Sequence, residues 1–132
     1  MKEQVIPSEY LDILQKKSFA HIATLMEDGS PQVTPVWIDY DGNLILVNSA
    51  RGRQKDLNMR RDQRVALSIL DPDDPYRCIQ IRGNVIEITE EGADDHIDKL
   101  SKKYTGIEPY QFREPGEVRV IYKVRPEHIT VR

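Results

Sequence analysis

The residues of this chain best equipped for chemistry crowd into one stretch, Asn48-Ser49-Ala50-Arg51-Gly52-Arg53-Gln54-Lys55. A hydroxyl, backbone amides at the opening of a helix and several nearby cations suit a phosphate group. The amides and hydroxyl donate to its oxygens, while Arg and Lys neutralise its charge. From Arg51 to Arg64 the chain carries six basic residues against two acidic ones, although the whole protein has a net charge of -3. The competing reading is a solvated basic face, with Arg60, Arg61 and Arg64 pairing surface acids. A second unusual group is Thr34-Pro35-Val36-Trp37, set inside a strand pattern. Proline cannot donate to a ladder, so Pro35 marks an edge, a bulge, or a place where a flat ring lies alongside the backbone.

Other chemistries find little support. The chain has no Walker loop, no G-x-G-x-x-G and no G-x-S-x-G. His21, His96 and His128 are far apart in sequence, and none has a second ligand at metal spacing. His21 alternates within a strand and reads as a hydrogen-bonded barrel residue, not a base. Cys78 lies in an apolar strand, where a buried and inert thiol is expected. Glu90, Glu91, Asp94, Asp95 and Asp98 sit at a helix start and face water. No catalytic side chain and no metal site is assigned.

The elements that must position these residues read mainly as strands. With 132 residues and one cysteine, the chain is expected to be a single domain, 1–132, without an internal disulfide. Its start, MKEQVIPSEY, lacks an apolar core behind basic residues, and no run approaches the length of a membrane span. A cytoplasmic protein is expected. The acidic balance, with a pI near 5.6, argues against a nucleic-acid partner. A short helix is expected near Ser8–Lys17, followed by strands at Phe19–Met26, Gln32–Tyr40 and Asn43–Asn48. Glu27-Asp28-Gly29-Ser30 and Asp41-Gly42 form the turns of this antiparallel meander. Arg51–Arg64 has helix-tolerant residues, Val65–Leu70 resumes strand and Asp71–Pro75 reads as a loop. In Cys78–Ile88 the apolar phase slips, with a bulge placed at Gly83-Asn84. A helix spans Glu90–Tyr104, with Thr89 as N-cap and Gly106 as its end. Val118–Val124 alternates cleanly, and Ile129–Val131 adds an edge strand. About six strands with inserted helices give a mainly β protein, a closed antiparallel barrel or strongly curled sheet.

These pieces, in this order, resemble the pyridoxamine-phosphate-oxidase-like split-barrel flavoproteins, and within them the short branch that uses the deazaflavin coenzyme F420. The resemblance is carried by HIATLMEDGSPQVTPVWIDYDG, NSARGRQKDLNMRRDQRVALSI, DPDDPYRCIQIRGNV and ITEEGADDHIDKLSKKYTG. It implies a six-stranded antiparallel split β-barrel and a homodimer with cofactor sites between the subunits. The ring-flanking motif then falls on Gln32, Thr34, Pro35 and Val36. The phosphate motif falls on Asn48, Ser49, Arg53 and Lys55, with Arg51 beside them, and Tyr76 and Arg77 wall the site. Trp37 and Phe112 are candidate interface anchors. The implied activity is an F420-dependent oxidoreductase acting on an unsaturated small molecule, in which the cofactor carries the hydride. The alternatives are an FMN-dependent flavin reductase or oxidase, and a non-enzymatic flavin or haem-like binding protein. Arg51, Arg60, Arg61 and Arg77 would read the long anionic tail that distinguishes F420 from FMN. The chain ends soon after the last strand, without the C-terminal segment that holds pyridoxal in the full oxidases, so that substrate is not expected.

Overall fold

The computed structural model describes residues 3–132. Its seven strands are β1 (Ala20–Leu25), β2 (Pro31–Val36), β3 (Ile38–Asp41), β4 (Leu44–Ala50), β5 (Arg64–Asp71), β6 (Asp74–Thr89) and β7 (Arg119–Val131). They form one antiparallel sheet in the order β2-β1-β5-β6-β7-β4-β3, which puts β2 and β3 at opposite edges. Yet Trp37 alone separates β2 from β3 in the chain. Residues two apart lie within about 7 Å, so the sheet must roll until its edges meet. They meet without pairing. The result is a split barrel with its seam at Trp37.

This corrects the expected strand count. Six strands were expected, with Gln32–Tyr40 as one of them; the chain instead leaves the ladder at Trp37 and gives seven. The indole turns away to stack on Tyr104, with ring centroids 5.3 Å apart and planes 7° from parallel. Pro35 pairs only with His21 of β1, so its missing N–H falls on a free edge, as its sequence context suggested.

The barrel interior is filled by alternating apolar residues. Ile22, Ile45, Val47, Ile69, Ile79, Val120, Tyr122 and Val124 are all nearly or fully buried. Three α-helices close the ends and sides: α1 (Leu11–Gln15), α2 (Gln54–Arg61) and α3 (Ala93–Thr105). In α3 the residues Ala93, Ile97 and Leu100 are buried, which follows from their spacing on one face. The helix starts later than expected. Thr89 Oγ1 accepts the amide of Glu91 at 3.1 Å in a preceding turn, and Gly92, at φ 73°, takes the cap position. The C-terminal end falls at Gly106 as expected. The expected Asp71–Pro75 loop shrinks to Pro72 and Asp73, because the Asp71 carboxylate accepts the Asp73 amide at 2.9 Å and folds the turn tightly.

The β6–β7 ladder carries two irregularities. Arg82 pairs with His128 but Gly83 pairs with Pro126, leaving Glu127 as an extra residue in β7. Val85 then pairs with Val124 and Glu87 with Lys123, leaving Ile86 as an extra residue in β6. The expected phase slip is therefore real, but in β6 it sits at Ile86, not at Gly83-Asn84. Val85 still points inward, 2% exposed, while Ile86 is 46% exposed. Ile129–Val131 is likewise no separate edge strand; it continues β7 beyond the Glu127 bulge. Among the described residues, no helix is long and apolar enough to cross a membrane.

Candidate functional site

A cleft of about 210 Å³ opens beside the seam. The edge strand β2 and the seam bring Pro35, Val36 and Trp37 to it. β4 brings Asn48 and Ser49, the start of α2 brings Arg53 and Lys55, and β7 brings Arg119. Phe19, Trp37 and Tyr110 give it an aromatic side. Six of the sequence-predicted residues therefore converge: Pro35, Val36, Asn48, Ser49, Arg53 and Lys55.

The other five do not line this cleft. Gln32 and Thr34 stay in the β1–β2 ladder opposite Thr24 and Ile22. Arg51 pairs with Glu90 at 2.5 Å. Tyr76 is 88% exposed. Arg77 is tied to Asp12 at 2.8 Å and Asp71 at 3.0 Å, with its guanidinium over the ring of Tyr10. These bonds pin α1 to the β5–β6 turn. Three loop amides ahead of α2 are spent within the protein: Arg51 N donates to the Val118 carbonyl, Arg53 N to the Ala50 carbonyl, and Gly52 N to Asp56 Oδ2 at 2.8 Å. His21, expected to be a hydrogen-bonded barrel residue, is exposed on the outer sheet face, because its strand position alternates with the inward Ala20 and Ile22. Cys78 is buried, 7% exposed.

Side chains carry the positive charge of the cleft. Arg53, Lys55 and Arg119 stand against one carboxylate, Glu117, which binds Arg53 at 3.0 Å. Glu117 Oε2 also lies 3.3 Å from Arg119 Nη1, but at an angle that makes no hydrogen bond. Ser49 Oγ and Arg119 Nη1 are both buried without a hydrogen-bond partner. Burial, reinforced by Arg53 and Arg119, pulls Lys55 below its ordinary value, and no carboxylate offsets this. Behind the loop, Asp56 accepts from Gly52 N, the Tyr122 hydroxyl and Arg60. Burial pushes Asp56 upward, but these donors outweigh it and hold the carboxyl below its ordinary value.

Sequence reasoning missed Arg119. It falls on the polar phase of the β7 alternation, which reads as solvent-facing, yet it is 4% exposed because α3 packs over β7. Tyr110, which packs against the Arg119 guanidinium at 5.3 Å from its ring centre, lies in an irregular segment with no periodic signal.

A split barrel with this cleft at its seam defines a class of protein, and the comparisons agree. The chain belongs to the pyridoxamine 5'-phosphate oxidase family, whose description matches residues 6–132. A solved F420 reductase is 32% identical, with a TM-score of 0.82 over 95% of this chain and 98% of that one. A conserved hypothetical protein of Mycobacterium tuberculosis is 24% identical, with a TM-score of 0.76 over 99% of this chain and 89% of that one. General Stress Protein 26 of Bacillus anthracis shares the fold at 16% identity, with a TM-score of 0.70 over 93% of this chain and 90% of that one.

Proposed function

We propose that this protein is an F420-dependent oxidoreductase acting on an unsaturated small molecule. One observation carries the reading: two buried donors without a hydrogen-bond partner, Ser49 Oγ and Arg119 Nη1, the latter held only by its ion pair to Glu117, belong to residues lining a cationic cleft. Buried polar groups are normally satisfied, so donors left open beside surplus positive charge fit an anion such as a phosphate. Asn48, Ser49, Arg53, Lys55 and Arg119 would hold that phosphate. The β2 edge at Pro35 and Val36, with Trp37 and Tyr110, would flank a flat ring and exclude water from it. When bound, the reduced deazaflavin supplies the hydride. The protein contributes orientation, which accords with the lack of an assigned acid–base side chain.

A homodimer belongs to this reading. At about 210 Å³ the cleft is smaller than the roughly 300–1,000 Å³ of a typical ligand site. It suits the phosphate end and needs a second copy to enclose the ring. The outer sheet face around His21 and Val33, the latter 62% exposed, is a surface such a copy would cover.

F420 is favoured over FMN by the 32% identical F420 reductase. One observation favours FMN as the second reading. The four arginines expected to read the F420 tail are engaged within the protein: Arg51 with Glu90, Arg60 with Asp56, Arg77 with Asp12 and Asp71, and Arg61 with the Leu25 carbonyl. Fluorescence titration with each cofactor tests the choice. F420 is expected to bind more tightly, with a margin that shrinks as added salt screens exposed charges. Tighter binding of FMN at low salt would replace the F420 reading with the FMN one. Oxidation of reduced F420 by a quinone or other unsaturated acceptor, catalysed by the protein, tests the reaction itself.

A further inference from the structure

Asn48 faces the cleft, but its carboxamide is gripped from both ends. Nδ2 donates to the Ala93 carbonyl at 2.9 Å, and Oδ1 accepts from Arg119 Nε at 2.9 Å. A carbonyl can only accept and a guanidinium N–H can only donate, so the two ends of the amide cannot be exchanged. Nδ2 also lies 3.1 Å from His96 Nδ1. Since Asn48 is the donor there, that ring nitrogen carries no proton. The imidazole proton then sits on Nε2 and is donated to Asp39 Oδ2 at 3.2 Å. Every link has one permitted direction, from Arg119 through Asn48 and His96 to Asp39.

The chain spans four elements: β7, β4, α3 and β3. Its far end lies outside the cleft, which neither His96 nor Asp39 lines. Its near end is the guanidinium whose Nη1 is buried, paired by charge with Glu117 at 3.3 Å but without a hydrogen-bond partner. Arg119 Nε is fixed by Asn48, Tyr110 covers the guanidinium face and Glu117 pairs with Nη1, so the direction of Nη1 depends on how firmly Asn48 is held. Burial pushes Asp39 upward, but the bond from His96 and the Tyr40 amide outweigh it and keep the carboxyl below its ordinary value. The acceptor at the end of the chain is thus a charged one.

We infer that His96, oriented by Asp39, is a positioning residue that acts through Asn48 to aim the Arg119 guanidinium at an anion in the cleft. The inference rests on the anion reading given under Proposed function. Loss of the imidazole leaves Asn48 bound at Ala93 alone on that side, free to swing and take the Arg119 acceptor with it.

The test uses the full chain and fluorescence titration with F420 and FMN. His96→Phe keeps a ring of similar size and removes both nitrogens. It is expected to weaken each cofactor about tenfold, the effect of losing one well-aligned bond to a charged group. In an Arg119→Ala background the same change should cost nothing further, because the route to the anion has gone. Asp39→Asn still offers an oxygen to Nε2–H and should keep affinity within about twofold, whereas Asp39→Ala should not. Nitrogen-15 spectra of the imidazole give a readout that needs no ligand and survives a poorly folding Phe variant: wild-type His96 should carry its proton on Nε2. A proton on Nδ1, unchanged affinity in His96→Phe, or effects of His96→Phe and Arg119→Ala that simply add would overturn the inference. A different failure identifies the underlying reading as the fault. If the wild type binds neither cofactor, or Arg119→Ala binds as well as wild type, the anion site falls and the role of His96 falls with it.

Discussion

A Cβ placed on Gly83 would sit 2.1 Å from the carbonyl oxygen of Arg125, across the β6–β7 ladder. The φ of Gly83 is not positive, so an L residue could adopt this backbone. Space is what requires glycine. Gly83→Ala must push two paired strands apart and should destabilise the protein at the upper end of the about 1–3 kcal/mol typical of overpacking. A denaturant melt will measure it; an unchanged midpoint would mean that the ladder spreads freely here.

Lys55 sets stability against binding. Its folded pKa lies below its unfolded value, chiefly through burial, so the folded protein holds this proton less tightly than the unfolded chain does. The charged lysine therefore opposes folding, and its contribution to stability should rise as pH climbs through the folded pKa towards 10.5. Lys55→Met should raise the melting temperature of the cofactor-free protein while weakening F420 by about 1.5–3 kcal/mol. Melting curves and titrations on one preparation check both. A variant that loses stability and keeps affinity contradicts the assignment.

Arg77 should govern the acid limb. Its hydrogen bond holds Asp12 at about 2 against an ordinary 3.8, and it helps the Asp73 amide and Lys16 hold Asp71 low. The unfolded chain therefore takes up protons first as acid is added. The stability these carboxylates contribute is complete above about pH 4 and is lost as pH falls towards about 2. Arg77→Met should lower stability at neutral pH and flatten the acid limb, with little effect on cofactor affinity because Arg77 lies outside the cleft. A large loss of affinity would return Arg77 to the site.

Light scattering at micromolar concentration should give the mass of two copies of the 15.3 kDa chain. A monomer would leave the cleft too small for its proposed ring and would overturn that part of the function.

Much of this was legible in the sequence. The β1–β2 and β3–β4 hairpins, the α3 face and the Asn48–Lys55 cluster follow from alternation, helical spacing and local charge, which are properties of neighbouring residues; the expected continuous meander does not form, because β2 and β3 end at opposite edges. What escaped depends on distant ones. Trp37 breaks a strand because Tyr104, far along the chain, offers its ring a place to stack. Arg119 reads as an outward residue until α3 covers that face of β7. The partners of Arg51, Arg60, Arg61 and Arg77 escaped for a related reason: a count of cations does not record the acids and carbonyls that fold against them. Asp39, His96 and Asn48 have no shared spacing at all, and the rolled sheet brings them within hydrogen-bonding reach.

The two bulges of the β6–β7 ladder offset one another, one extra residue in each strand, so Glu87–Thr89 pair with Ile121–Lys123 in the same register as Ile79–Arg82 with His128–Val131. Each bulge also switches the phase of its strand: Val85 and Ile88, on either side of Ile86, both pack on the core. Removing a bulge residue would therefore join pairs that already match. A chain lacking Ile86 would set Glu87–Lys123 directly beside Val85–Val124 and keep Ile88 inward, and one lacking Glu127 would set Arg82–His128 beside Gly83–Pro126. Loss of a regular residue such as Asn84 would instead turn Val85 out of the core. Single deletions in this ladder should thus be tolerated at Ile86 and Glu127 and rejected between them.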